Sequence, residues 1–577
     1  MKRSLTVFTL LLAFALVAAA CSSSDEDATT TTGAAASSTT QADTPTTAAA
    51  ATTTTAADTS SGETTLIIGT TDAISSLDGS DAYAVHDWEL LKNVGEGLLR
   101  WEPGSGDKLV AGSAEDFGAF SDDGLSYTIK LKSGQLFGDG TPLTASGYAA
   151  QINDRLLVLE GSGGVGPALG QPYLTSVEAV DDLTIKFNLS DTWGFFEQLL
   201  AGAPYIPLNP TQFPAGADAA LVEFPEAPIY GNGPWYIDSY FLGETTVLKP
   251  NPKYQGSLTP QVDQVIIRYF DKPEGMRDAL LDGSIDVAWR ILGPDILAEL
   301  QDAGFNVETV AGGAIRYFIV NHTRAPSDDP NVYKAIASLI DRDDISDRVF
   351  AGFVEPLYSP VPVGFLGATE VFDDLYGSPD IPAAQALLEA SGYTADSPLQ
   401  LEVAYPPEHY GGTVADSMQV ISEQLEASGA IEVTLVAQEW SEYIGAVIGG
   451  VDYSVSLLGW FYDYPDPDNY LTPFVANGGL GTMITDPDTG AGISAAAQAL
   501  ADKIAEAAAN GDQAIRKTLY EEAQAMYAEL VVTLPLWFEA EHIVYGDNVA
   551  GSDAFGSLEQ LNIGATIEYN YATNSKG

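Results

Sequence analysis

From Thr65 onward the chain switches repeatedly between two hydrophobic periods. Apolar and polar positions alternate through Ser126–Lys132 and Leu183–Leu189 (LTIKFNL), as they do in half-buried strands. Thr65–Thr70 (TLIIGT) is a short apolar run, and further strands are predicted at Val265–Phe270, Arg316–Asn321, Leu399–Tyr405, Ile431–Ala437 and Tyr453–Leu458. Between these segments the period lengthens. Val414, Met418, Ile421 and Leu425 share one helical face, and Gly429 follows as a stop signal. A second helix is predicted over Ala383–Ser391, opened by Pro382 and closed by Gly392. Strands and helices intermixed in this way predict an α/β architecture. No internal repeat of fixed period is visible.

Residues 1–64 lack this patterning. Lys2 and Arg3 precede an apolar stretch from Leu5 to Val17, followed by Ala18-Ala19-Ala20 and Cys21. This predicts a bacterial lipoprotein signal peptide over 1–20, with Cys21 as the lipid-attachment residue. Ala18 stands where such signals usually carry Leu, and the alternative is a plain secretory signal with a chance cysteine. Two acyl chains suffice for stable anchoring at about 0.8 kcal/mol per buried CH₂. Residues 22–64 contain only Ser, Thr, Ala, Gly, Asp, Glu, Gln and one Pro. Without large apolar side chains to offset the entropy of ordering, residues 21–64 are expected to be a disordered tether. Its root-mean-square reach is about 35 Å. No later segment is apolar enough to cross a bilayer.

Composition narrows the function classes. The 577 residues hold 24 Lys+Arg against 80 Asp+Glu, a formal charge of −56. That balance argues against nucleic-acid binding, which depends on basic side chains neutralising phosphates. It is the mark of an acidic, solvated surface that keeps molecules apart, or of a saline habitat, and a monomer is expected. A hydrophobic fraction of 45% is enough to bury a large core. Cys21 is the only cysteine, which excludes internal disulfides and cysteine-rich metal sites. There is no HExxH, Walker A or GxSxG motif, and the four histidines, His86, His322, His409 and His542, have no ligand spacing. Residues 161–166 (GSGGVG) fit GxGxxG, but they follow a helix predicted over Gln151–Glu160 and precede Pro167. A dinucleotide fingerprint needs strand, turn and helix in that order, so a loop is expected. Asp486 to Gly490 (DPDTG) lacks the closing acid of a calcium loop and reads as a turn. No catalytic residue, metal or cofactor is predicted.

Six separate segments carry a resemblance. They are Ser76-Leu77-Asp78 with Glu96-Gly97-Leu98; Phe120–Ala145 (FSDDGLSYTIKLKSGQLFGDGTPLTA); and Gly231–Tyr236 (GNGPWY) with Asn251-Pro252-Lys253-Tyr254. Asn321 with Val332–Ile345 (VYKAIASLIDRDDI), Ala384–Tyr393 (AQALLEASGY) and Gly459–Tyr470 (GWFYDYPDPDNY) complete the set. In this order they resemble extracellular solute-binding protein family 5, the receptors of ABC importers for dipeptides, oligopeptides, nickel chelates and related solutes. The resemblance spans roughly residues 65–547. Tyr333 departs from a frequent Arg, and Ser146-Gly147 from an acidic pair.

The resemblance implies a type II periplasmic-binding-protein-like fold with two lobes and an extra domain inserted in the first. The first lobe would comprise about 65–105, 228–312 and 535–577, the insertion about 106–227, and the second lobe about 313–534. Chain crossings near 312 and 535 would form the hinge. The implied protein is no enzyme. It is a lipid-anchored receptor on the extracytoplasmic face of the membrane, at the cell surface or in the periplasm, handing a peptide-like solute to ABC permease subunits.

A receptor for many peptides must grip what peptides share, and a buried carboxylate is the group that holds an α-ammonium. The resemblance places it at Asp463, with a turn-capping Asp as the alternative. Trp460 and Tyr462 are candidates for the ligand wall, or else ordinary core residues. Tyr83 and His86 are candidates on the first lobe. Asp466 and Asp468, beside Pro465 and Pro467, read as turn formers. Dipeptide receptors hold the ligand carboxylate with an Arg in the segment equivalent to Leu401–Thr413 (LEVAYPPEHYGGT); here there is no Arg, Glu408 would repel a carboxylate, and His409 is the group that could donate to one. A longer peptide, or a ligand lacking a carboxylate, fits better than a strict dipeptide. An oligosaccharide, nickel chelate or other cationic metabolite, a secreted hydrolase with paired carboxylates, and a signalling receptor remain as other readings.

Overall fold

The computed structural model describes residues 63–577 apart from 104–107, 162–163, 291, 408, 449–452, 487–488 and 551–568. The predicted signal, Cys21, almost all of the tether and Glu408 therefore lie outside the described residues. Among those described, no helix is long and apolar enough to cross a membrane.

One mixed sheet organises the molecule. From one edge its strands run Ile431–Ala437, Leu399–Tyr405, Val455–Trp460, Asn306–Val320, Thr533–Tyr545, Val287–Trp289, Thr65–Thr70, Gln264–Tyr269, Thr245–Pro250 and Trp235–Phe241. Each half has a parallel centre. Thr65–Thr70 lies parallel to Gln264–Tyr269 and Val287–Trp289, and Leu399–Tyr405 lies parallel to Ile431–Ala437 and Val455–Trp460. Parallel neighbours require crossovers, which here are helical. The helix Val414–Glu426 buries Val414, Met418, Ile421 and Leu425, as its periodicity predicts. The helix Ile381–Ala390 is capped by the Asp380 carboxylate, which accepts from the Ala383 N–H at 2.9 Å.

Two long antiparallel strands join the halves. The beginning of Asn306–Val320 pairs with residues 541–545, and its end pairs with residues 533–538 and with Val455–Trp460. The register shifts between Ala311 and Ala314, opposite Ala540 and Glu539, where the strands pass from one half to the other. Both were underestimated from sequence. The predicted Arg316–Asn321 is only the end of a 15-residue strand, because Ala311-Gly312-Gly313 has no apolar pattern of its own and is held by its partner strand. Thr533–Tyr545 was not predicted as a strand, since Pro535, Glu539 and Glu541 interrupt its apolar run. Trp235–Phe241, Thr245–Pro250 and Val287–Trp289 were also missed. The helix expected over Gln151–Glu160 starts at Ala145 instead and ends in a π-helical turn, Ile152–Leu156.

Residues between 119 and 189 build a separate four-stranded antiparallel sheet, ordered Ala119–Phe120, Ser126–Lys130, Thr184–Leu189 and Leu174–Ala179. Its inner face buries Tyr127, Ile129, Ile185 and Phe187 almost completely. Each such side chain contributes about 1.5–3 kcal/mol. This core is continuous with that of the second half of the large sheet. The bridge is Phe195, stacked on Tyr464 with ring centres 4.7 Å apart and planes within 13°. The first half keeps two cores of its own, one per sheet face, around Leu66, Ile68 and Trp235 and around Met276, Leu297 and Val544.

Candidate functional site

The strand Val455–Trp460 ends where the two halves meet, and the chain beyond it keeps a two-residue alternation. Gly459, Phe461 and Asp463 are partly accessible, whereas Trp460, Tyr462 and Tyr464 are 6%, 4% and 2% exposed. Successive residues of an extended chain point to opposite sides, so one side stays partly accessible and the other fills the core.

Asp463 is held from both halves. The Asn469 side chain braces it twice, its Nδ2 donating to Asp463 Oδ2 at 3.1 Å and its Oδ1 accepting from the Asp463 N–H at 2.8 Å. From the first half, the Tyr83 hydroxyl donates to Asp463 Oδ1 at 2.5 Å. Both side-chain partners are neutral. Burial pushes the Asp463 carboxyl up to about 6, against the lowering effect of these hydrogen bonds. Burial, and then the Asp463 charge, push the Tyr83 hydroxyl far upward, so it stays a donor. Tyr173, just ahead of the small-sheet strand Leu174–Ala179, meets the core side of this segment, its hydroxyl 3.3 Å from that of Tyr464. A carboxylate desolvated and matched only by neutral donors is a site for a cation that brings its own charge.

The predicted site residues fall into separate places. Tyr83 and Asp463 come together. Trp460 and Tyr462 turn into the core: Trp460 packs on Phe474 at 5.5 Å, and Tyr462 on Phe365 at 5.7 Å. Trp460 acts on the site at one remove, because its Nε1 donates to Asn469 Oδ1 at 3.2 Å. The Tyr462 hydroxyl is buried without a hydrogen-bond partner. His86 lies in the first turn of the helix Val85–Val94, its ring nitrogens 3.8 Å from Asp72 and 3.7 Å from Asp87. It lines a separate pocket with Tyr269, Trp289 and Arg290. Cys21 lies outside the described residues.

The acids after Asp463 are more than turn formers. Asp466 forms a buried ion pair with Arg516 at 2.7 Å. Asp468 accepts from the Tyr464 hydroxyl at 2.8 Å and from Thr472 Oγ1 at 2.6 Å, and burial raises its carboxyl to about 6. Asp486 behaves as the turn residue expected, accepting from Thr489 N–H at 2.8 Å.

Sequence reasoning missed the neighbours of Gly459. Arg316 is 2% exposed and spreads its guanidinium over the Tyr410 ring, 4.1 Å from its centre, with Phe461 5.6 Å away. Its Nη2 meets Glu539 Oε1 at 2.6 Å across the two joining strands. No spacing rule links residues 316, 410, 461 and 539. His409 stacks on Trp440 at 3.5 Å and 4°. Desolvation there, and then the Arg316 charge, push its imidazole down to about 4, so it is neutral at neutral pH and a poor carboxylate clamp.

The profile described as "Bacterial extracellular solute-binding proteins, family 5 Middle" matches residues 108–482. A probable D,D-dipeptide-binding periplasmic protein of Escherichia coli is 28% identical over 305 residues, covering 52% of this chain and 58% of that protein, little more than half its length. A probable deoxycholate-binding periplasmic protein of Escherichia coli is 26% identical over 477 residues, covering 78% of this chain and 83% of the relative. The crystal structure of NikA from Brucella suis in complex with Fe(III)-EDTA shares the two-lobed α/β fold at 20% identity, with a TM-score of 0.74, covering 89% of this chain and 100% of that one.

Proposed function

Because the chain belongs to the bacterial extracellular solute-binding proteins of family 5, and is therefore a solute receptor and not an enzyme, we propose that it receives peptide-like solutes for an ABC importer, with the α-ammonium of the ligand on Asp463. The observation that carries this reading is the Asp463 carboxylate itself. It is desolvated, oriented by Asn469, and capped from the opposite half by a hydroxyl that a ligand ammonium can replace. An ammonium there forms a charge-assisted bond, stronger than the neutral bond it displaces.

In the same proposal the first lobe takes residues of about 65–105, 228–312 and 535–577, the insertion about 106–227, and the second lobe about 313–534. The register shift at Ala311/Ala314 supports a hinge there, with Thr533–Tyr545 as the second crossing. Ligand contacting both lobes stabilises the closed form, which the permease subunits read. Cys21 would carry the lipid, and residues 21–64 would let the body turn above the membrane.

Calorimetry with free and N-acetylated versions of one peptide library tests the ligand class. Free peptides should bind and acetylated ones should not, and Asp463→Ala should abolish the difference with the fold intact. Binding of acetylated peptides or sugars alone would reject the assignment and favour the other solute classes.

A further inference from the structure

A second partly accessible carboxylate, Glu539, lies on the joining strand Thr533–Tyr545. The side chain of Glu539 is 29% exposed, while that of its partner Arg316 is 3% exposed. Arg316 is enclosed on every side that matters. Tyr410 covers its face, Nη1 donates to the Ile315 carbonyl at 3.1 Å, and Nη1 also lies 2.6 Å from where a side chain on residue 459 would begin. Its Nε is buried with no hydrogen-bond partner. The guanidinium is thus a fixed support, and the carboxylate is the member of the pair that a solute can reach.

Arg316 sits under Gly459 and Phe461, on the same side of the segment as Asp463. Glu539 pairs with Ala314, and the next residue, Ile315, pairs with Trp460, so Glu539 stands two strand spacings across from residue 461 and two residues short of Asp463, roughly 12 Å between backbones. That is the distance from a peptide's α-ammonium to a cationic side chain one or two residues along.

We propose that Glu539, braced by Arg316, is a second ligand-binding carboxylate, so that the preferred cargo is a basic peptide carrying Lys or Arg close behind its free amino terminus. This deepens the peptide-receptor reading and rests on it. A ligand cation on Glu539 completes a cation–carboxylate–guanidinium row, with Phe461 covering the aliphatic stem. A ligand anion at the same place meets Glu539 first and is repelled.

The test compares Ala-Lys-Ala, Ala-Leu-Ala and Ala-Glu-Ala by calorimetry on the purified protein, with N-acetyl-Ala-Lys-Ala as a fourth probe. Ala-Lys-Ala should bind about tenfold or more tightly than Ala-Leu-Ala, and Ala-Glu-Ala most weakly. Glu539→Gln should erase the Lys preference while Ala-Leu-Ala affinity stays within about twofold, circular dichroism confirming the fold. Equal affinities for the three free peptides, or a preference for Ala-Glu-Ala, would overturn this inference and leave the peptide receptor standing. Tight acetylated peptide, or no peptide binding at all, would overturn both. The wild-type comparison decides the matter even if the variant does not fold.

Discussion

The Tyr83 hydroxyl and the Asp463 carboxylate, 380 residues apart in the chain, meet at 2.5 Å and tie the first half of the large sheet to the second. The bond occupies the carboxylate that a ligand ammonium would take. In the proposed function, closure and ligand capture would therefore compete for the same oxygen. Removing the hydroxyl changes both, in directions that can be stated.

Tyr83→Phe should lower the stability of the ligand-free protein by about 1 kcal/mol, the usual net worth of one hydrogen bond. The Tyr83 bond also pulls the Asp463 carboxyl downward, so its loss moves that carboxyl above about 6. Binding of a free peptide, followed by calorimetry against pH, should then begin to weaken at a higher pH than in the wild type.

Ligand binding itself should depend on pH through Asp463. The ammonium needs the ionised form, so affinity is full well above pH 6 and falls as pH drops through about 6, by up to about tenfold per unit. Stability runs the other way. The folded carboxyl is raised from 3.8 to about 6, so ionising it opposes folding, and the ligand-free protein loses stability as pH rises through that window. Asp463→Asn should flatten both profiles and raise the melting temperature at pH 7 while abolishing ammonium binding. Undiminished, pH-dependent binding of a free peptide by the variant would contradict this.

Gly194 joins the small sheet to the second half. Its N–H donates to the Ala508 carbonyl at 2.8 Å, and its carbonyl accepts from Gln513 Nε2 at 2.9 Å and Arg516 Nη1 at 3.2 Å. A methyl group there would lie 2.1 Å from the Asn510 carbonyl oxygen and 2.7 Å from the Arg516 side chain. Gly194→Ala should push these surfaces apart, and small-angle scattering should show a larger radius of gyration together with weaker ligand binding. An unchanged radius would mean that the contact yields elsewhere.

Arg516 is wholly buried and pairs with Asp466. Arg516→Met leaves that carboxylate buried without its cation and should cost about 3–5 kcal/mol in urea denaturation. Asp466→Asn in the same chain should recover part of the loss.

The alternation after Gly459 separates core from site. Tyr462→Phe removes a buried hydroxyl that has no partner and should leave peptide affinity unchanged, with stability equal or higher by about 1 kcal/mol. Phe461→Ala should weaken peptide binding. The reverse pattern would return Tyr462 to the ligand wall.

What the sequence determined by itself is local or periodic. The strands Leu399–Tyr405 and Ile431–Ala437 have their predicted bounds, and the helix Val414–Glu426 buries its predicted face, because a repeat of two or near 3.6 residues records which side meets the core. The ordered motifs gave the family, since each is a contiguous stretch. Tertiary structure decided the rest. Thr533–Tyr545 is a strand because partners on both sides take up its hydrogen bonds despite Pro535 and two acids. Trp460 and Tyr462 went to the core and Phe461 to the accessible side by a one-residue parity that the motif does not encode. The bonds Tyr83–Asp463 and Arg316–Glu539 join residues that no spacing connects, because contact between charges depends on distance through space, and the fold alone sets that distance.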